Sequence, residues 1–124
     1  QKLYFHEKTR DVTELYGSQS TSLVKEKNNI DSSNFINIET VSLEKVLSEH
    51  DFVDFIKIDI EGAEYDLLPD LIKNKDKIGK VACELHGKIL PNGKNPQPFF
   101  NKHYIQAVGE LKNLGLYGKW FLEW

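Results

Sequence analysis

Hydrophobic and polar positions along the chain alternate between two periods, and the change of period marks the elements. Residues 2 to 16 alternate loosely, with Leu3 and Phe5 opposite Tyr4 and His6 and then Val12, Leu15 and Tyr16, which predicts one or two short strands joined by a turn at residues 7 to 11. Residues 17 to 24 are small and hydroxyl-rich, and residues 25 to 34 form a polar connection without periodicity. Alternation returns from Phe35 to Val41, a predicted strand with Ile36 and Ile38 on one face. Ser42 is placed to cap a short helix through His50, striped by Leu43, Val46 and Leu47. An apolar run from Val53 predicts a buried central strand, and Leu67, Leu68, Leu71 and Ile72 put a helix over residues 63 to 73. Pro69 lies inside that helix and is expected to kink or restart it, because proline removes a backbone donor and crowds the preceding turn.

Lys80 to His86 reads as a second buried strand, with Val81, Cys83 and Leu85 on one face and Ala82, Glu84 and His86 on the other. Residues 87 to 98, with Asn92-Gly93 and three prolines, form a turn-rich loop placed either as a lid or as a surface insertion. Phe99 to Leu114 has the clearest helical spacing, ended by Gly115. The aromatic run at residues 116 to 124 predicts an antiparallel edge strand or half of a hairpin. Strand, helix and strand between residues 53 and 86 make a βαβ unit, whose right-handed crossover sets two strand ends side by side.

That juxtaposition carries the candidate chemistry. The central strand ends in Asp59-Ile60-Glu61-Gly62, and the second strand ends in Glu84-Leu85-His86. Ligands of open α/β sheets bind at the carboxyl ends of strands, and Gly62 permits a tight turn beside whatever the carboxylates hold. Three carboxylates and an imidazole at one edge are costly unless a cation, a substrate hydroxyl or protein donors compensate them. A structural ion-pair network, with Lys57 as counter-charge, accounts for the same residues, as does an Asp59 that merely caps the following helix.

Composition narrows the partners. A 124-residue chain with 40% hydrophobic and 28% charged residues fits one folded domain spanning 1–124. A net charge of −3 with interspersed lysines and glutamates gives no basic stripe, so no nucleic acid is expected. No apolar run reaches the ~20 residues of a membrane span and no secretory leader opens the sequence, so no membrane partner and a cytoplasmic location are expected. The single cysteine, Cys83, sits in an apolar run and reads as a buried, inert thiol.

Residues 55 to 64, Phe-Ile-Lys-Ile-Asp-Ile-Glu-Gly-Ala-Glu, resemble the K-x-D-x-E-G-x-E signature of FkbM-type S-adenosylmethionine-dependent methyltransferases. Residues 41 to 47 and 83 to 86 are similar to the flanking segments of that family, and the resemblance extends from about Ser18 to the C-terminus. It implies an α/β, Rossmann-like methyltransferase sheet. The glycine-containing loop and the acidic residue that open such enzymes have no counterpart here, so the chain resembles their C-terminal part, without the N-terminal cofactor-binding strands. The resemblance further implies S-adenosylmethionine as cofactor and methyl transfer to the hydroxyl of a small molecule or sugar. On that basis Asp59, Glu61, Glu84 and His86 are the candidate catalytic residues, and Asp59, Gly62, Ser20 and Ser22 the candidate cofactor contacts. Ser20 and Ser22 read equally as part of a solvated loop. A hard divalent ion such as Mg²⁺ on Asp59 and Glu84 is a further expectation. Two rivals stand beside this reading: a catalytically incomplete domain that self-associates as a homodimer through an exposed sheet edge, and a metal-dependent hydrolase.

Overall fold

The computed structural model describes residues 1–9 and 21–123. Two small sheets and their helices make up the fold. Strand β1 (Lys2–His6) pairs antiparallel with β2 (Ile30–Asn37), Lys2 facing Asn37 and Tyr4 facing Phe35. The strand expected at residues 35–41 therefore begins five residues earlier and ends four earlier. Its first half, Asp31-Ser32-Ser33-Asn34, has no apolar alternation, because a largely exposed two-stranded ribbon is held by its hydrogen-bond ladder and not by a buried face. The ladder closes where the Ile38 N–H donates to the Gln1 carbonyl. The strand or turn expected around residues 10 to 16 lies outside the described residues, apart from the turn at Glu7–Lys8.

Helix α1 (Leu43–Ser48) starts as expected: the Ser42 Oγ accepts the Lys45 N–H at 3.2 Å, and Leu47 turns into the core. Strand β3 (Val53–Ile58), helix α2 (Glu64–Lys73) and strand β4 (Ile78–Cys83) form the anticipated βαβ unit, with β3 and β4 parallel from Val53 opposite Ile78 to Ile58 opposite Cys83. Two corrections follow. Strand β3 is not buried: it is the edge of a three-stranded sheet of order β3-β4-β5, and Phe55 is 54% exposed. Helix α2 runs through Pro69 to Lys73 without a restart. Proline deletes one i→i−4 bond there, while Leu68 and Leu71 on either side stay buried and hold the helix against the sheet.

Beyond a 3₁₀ turn at Pro98–Phe100, helix α3 (Asn101–Asn113) crosses back over the sheet, presenting Ala107 and Leu111 to the core. The aromatic terminus splits into a helical turn, α4 (Tyr117–Trp120), and β5 (Phe121–Glu123). Strand β5 pairs with β4 in parallel, Val81 opposite Phe121, and not antiparallel as its composition suggested. A helical crossover returns the chain to the starting edge of the sheet, so the next strand runs in the same direction as the last. The core gathers Leu47, Ile58, Leu71, Val81, Leu111 and Trp120 among others, with Cys83 a buried free thiol. No helix among the described residues is long and apolar enough to cross a membrane.

Candidate functional site

The polypeptide leaving β3 bends at once. Glu61 takes φ +58° and Gly62 φ +106°, consecutive left-handed residues of which the first is not glycine. A non-glycine residue in this region is strained, and it persists only where neighbours over-determine it. Here they do so at both backbone and side chain. The Ser22 Oγ–H donates to the Glu61 carbonyl at 2.6 Å while accepting the Val24 N–H at 3.0 Å. Backbone bonds between Ser22 and Tyr4, at 2.8 and 3.0 Å, fasten that segment to β1. The Glu61 carboxylate receives the Lys27 ammonium and lies 3.2 Å from His86 Nε2.

His86 is held from its other side by Glu64. The His86 N–H donates to Glu64 Oε1 at 2.8 Å, and His86 Nδ1 meets the same oxygen at 2.8 Å. Glu64 Oε2 accepts the Gly62 N–H at 2.8 Å, so this carboxylate, whose side chain is 0% exposed, ties the turn to the end of β4. Burial, the largest influence on His86, opposes its charge. Hydrogen bonds to Glu61 and Glu64 and their negative charges outweigh it, raising the imidazole to about 10. Glu61 is lowered to about 2, first by the His86 hydrogen bond, against burial, and then by Lys27. Both nitrogens of His86 thus face carboxylates, and the ring is a cation at neutral pH.

Gly62 packs against an aromatic ring. A Cβ on it would lie 2.2 Å from Phe100 Cζ. Gly87, at φ +96°, lies against the Phe100 backbone, where a Cβ would stand 2.5 Å from its carbonyl carbon. Phe100 is 2% exposed and stands edge-on to His86. The Tyr65 O–H donates to the His86 carbonyl.

The expected site residues are thereby sorted. Glu61, Gly62, His86 and Ser22 come together, whereas Ser20 lies outside the described residues. Ser22 is 1% exposed with its hydroxyl engaged twice, and Gly62 is closed off by Phe100 on the side a side chain would take. Of the expected cofactor contacts, Asp59 alone among the described residues keeps a solvent-facing polar group, paired with Lys57 at 3.5 Å. Asp59 does not cap α2, whose N-cap is Ala63. Glu84 is half-buried at the end of β4, where its N–H donates to the Ile58 carbonyl at 3.0 Å. No group of three or more His, Cys, Asp or Glu able to hold a metal ion occurs among the described residues.

Sequence reasoning missed Lys27, Glu64 and Phe100 as members of the site. Glu64 lay inside the quoted signature, and its place one turn after Glu61 was the available signal. Lys27, 3% exposed, lies in a stretch read as a polar connection without periodicity, and nothing in its neighbours announces its burial.

An acidic turn at the carboxyl end of a parallel strand is the ligand-binding position of α/β proteins as a class. The chain belongs to the FkbM methyltransferase domain family: the family model, Methyltransferase FkbM domain, matches residues 2–113. That span reaches further toward the N-terminus than the similarity read from Ser18 onward. The family places the chain among methyltransferases. No curated protein and no solved structure matches it.

Proposed function

We propose that the chain is a methyltransferase domain that uses S-adenosylmethionine and transfers a methyl group to a hydroxyl oxygen of a small molecule. The observation that carries this reading is the family match over the segment containing the locked turn, with Asp59 solvent-facing at the carboxyl end of β3. When bound, the cofactor supplies an electrophilic methyl group on a sulfonium centre. Asp59 is the residue that would hold it at the junction with the acceptor. The acceptor oxygen must lose its proton as the new C–O bond forms, and a carboxylate within hydrogen-bond reach lowers that barrier. Asp59 and Glu84 fit that task better than His86, whose charged ring has no free lone pair at neutral pH. Glu61, Glu64 and His86 then act as positioning residues, fixing the turn that follows Asp59.

Calorimetric titration with S-adenosylmethionine tests the reading. Saturable binding near one cofactor per chain, weakened in Asp59→Asn, is expected. No heat up to about 1 mM, the upper end of usual enzyme affinities, overturns it.

A second reading, self-association, is favoured by one observation. Among the described residues no strand pairs with the outer side of edge strand β3, which lies beside a groove of about 510 Å³ flanked by the exposed rings of Phe52 and Phe55 and by Val46. A second copy pairing along β3 would cover both, and a monomeric solution mass at high micromolar concentration excludes it.

A further inference from the structure

A small cavity, of about 90 Å³, lies just beyond the end of β4, lined by Glu84, His86 and Lys88 together with Leu90, Pro96 and Gln97 of the loop that follows. That loop is held by its own hydrogen bonds. The Leu90 N–H donates to the Lys94 carbonyl at 2.9 Å, and the Asn95 and Asn101 side-chain amides both donate to the Gly87 carbonyl at 3.4 Å. Asn95 Oδ1 accepts the Gln97 N–H at 3.0 Å, and the Gln97 carbonyl accepts the Phe100 N–H at 3.1 Å. The backbone of Gln97 is thus fixed through both of its polar groups. Its side chain is not satisfied in the same way: Gln97 Oε1 is buried and takes no hydrogen bond among the described residues. A buried acceptor without a donor is a standing cost to the fold. Glu84, half-buried in the same lining, also has no hydrogen bond or ion pair on its carboxylate among the described residues. The other charged groups of the lining are cations, Lys88 and the His86 ring, whose two nitrogens already face Glu61 and Glu64.

We propose that this cavity binds the NH₂ group of a neutral carboxamide, read by Gln97 Oε1 and the Glu84 carboxylate. The choice follows from the donors that the lining lacks. Two unmatched acceptors call for two donor hydrogens on one group, which an amide nitrogen carries and a hydroxyl does not. An ammonium group has hydrogens enough, but its charge would stand beside Lys88 and the charged His86 ring with Glu84 alone to oppose them. A neutral NH₂ group meets both acceptors without that repulsion. Gln97 is then a specificity-determining residue, held in place by the loop at a cost to the fold that the ligand's N–H offsets. The cavity shares His86 with the clamp on Glu61, so a ligand seated here lies at the end of the sheet where Asp59 faces solvent. The proposal goes beyond the methyltransferase reading and does not rest on it.

The test is a chemical-shift titration of the ¹⁵N-labelled chain with acetamide, run beside N,N-dimethylacetamide, ethanol and methylammonium chloride. Acetamide should give saturable shifts at the amides of Gly87, Lys88 and Gln97, while N,N-dimethylacetamide, which has no N–H, should give none. Gln97→Leu should weaken acetamide binding roughly three- to tenfold, the usual range for one hydrogen bond. Gln106→Leu, exposed on α3, should leave it unchanged. The urea midpoint of Gln97→Leu should not fall, because the variant loses an oxygen that has no partner in the folded chain. A lower midpoint would mean that the oxygen is already satisfied, and it overturns the proposal. Absence of saturable acetamide shifts up to about 100 mM would mean that the cavity holds water only, and it overturns the proposal as well. So does equal binding of N,N-dimethylacetamide or ethanol, or tighter binding of methylammonium. Calorimetry with S-adenosylmethionine reports on the methyltransferase reading separately, so either result can fail while the other stands.

Discussion

Replacing His86 by leucine removes a ring that joins Glu61 to Glu64. In the wild type, His86 has a folded-state value of about 10 against 6.5 for a free histidine. A raised value means the folded state holds a proton that the unfolded chain has released between those two pH values. The stabilisation is complete below pH 6.5 and is lost as pH rises toward 10, at no more than about 1.4 kcal/mol per pH unit. In His86→Leu, Glu64 keeps two backbone donors, from Gly62 and residue 86, and the Glu61 carboxylate keeps Lys27. Removing one partner of a buried pair costs ~3–5 kcal/mol. These surviving donors and the 26% exposure of Glu61 bring the expected loss at pH 7 to roughly 2–4 kcal/mol. Urea unfolding followed by the fluorescence of the buried Trp120 measures it. Between pH 7 and 9 the gap between wild type and variant should close by at most about 2.8 kcal/mol. A gap that stays constant over this range would refute the charged-ring assignment, and a gap near zero at pH 7 would refute the clamp itself.

The other expectations concern the same turn and, for contrast, positions away from it. Gly62→Ala must place a methyl group at φ +106° and 2.2 Å from Phe100 Cζ, costing roughly 2–5 kcal/mol, whereas Gly93→Ala, at φ +77° with nothing within 4 Å, should cost about 1 kcal/mol. Equal midpoints in urea for the two variants would show that Phe100 does not close over Gly62. On the acid side Glu61 is held near 2 against an ordinary 4.5, so its stabilisation is present above pH 4.5 and is lost as pH falls toward 2. In Glu61→Gln that loss should disappear from the acid limb of the stability curve. Ser42→Ala removes the α1 cap and should cost about 1 kcal/mol of unfolding free energy without altering cofactor binding.

Much of the fold was legible because burial and periodicity coincided. Leu43 and Leu47 gave α1, Leu68 and Leu71 gave α2, and Ala107 and Leu111 gave α3, since each helix sets a stripe against the sheet. Signals were lost where backbone pairing decides and side chains do not. The polar residues 31–34 enter β2 through its ladder with β1, and β5 takes its direction from the α3 crossover and not from its aromatic content. β3 reads as a buried strand because Phe55, Ile56 and Ile58 are apolar, yet only Ile58 is buried. Apolar content identifies a strand but does not say whether a neighbour covers it.

The signature at residues 57 to 64 shows the same division within one motif. Acidic residues at a strand end were read as a single ligand-facing edge, but left-handed backbone at Glu61 and Gly62 turns the segment inward after Asp59. Glu61 and Glu64 then point to His86 and Lys27, while Lys57 and Asp59 remain in solvent. Half of the motif therefore builds the turn and half stays in solvent. Spacing along the sequence cannot separate the halves, because the sign of φ at residue 61 depends on Ser22 and Lys27, more than thirty residues away. The motif and its distant clamp form one unit, so loss of Lys27 should loosen the same turn as loss of His86. Lys27→Met removes the ammonium that faces Glu61 while keeping most of the buried stem, and it should destabilise the chain by roughly 1–3 kcal/mol. Paired with His86→Leu in a double-mutant cycle, it should give a combined loss that departs from the sum of the single losses, by 0.5 kcal/mol or more on the usual scale for residues sharing a partner. Simple additivity would show that Lys27 and His86 do not act on Glu61 together.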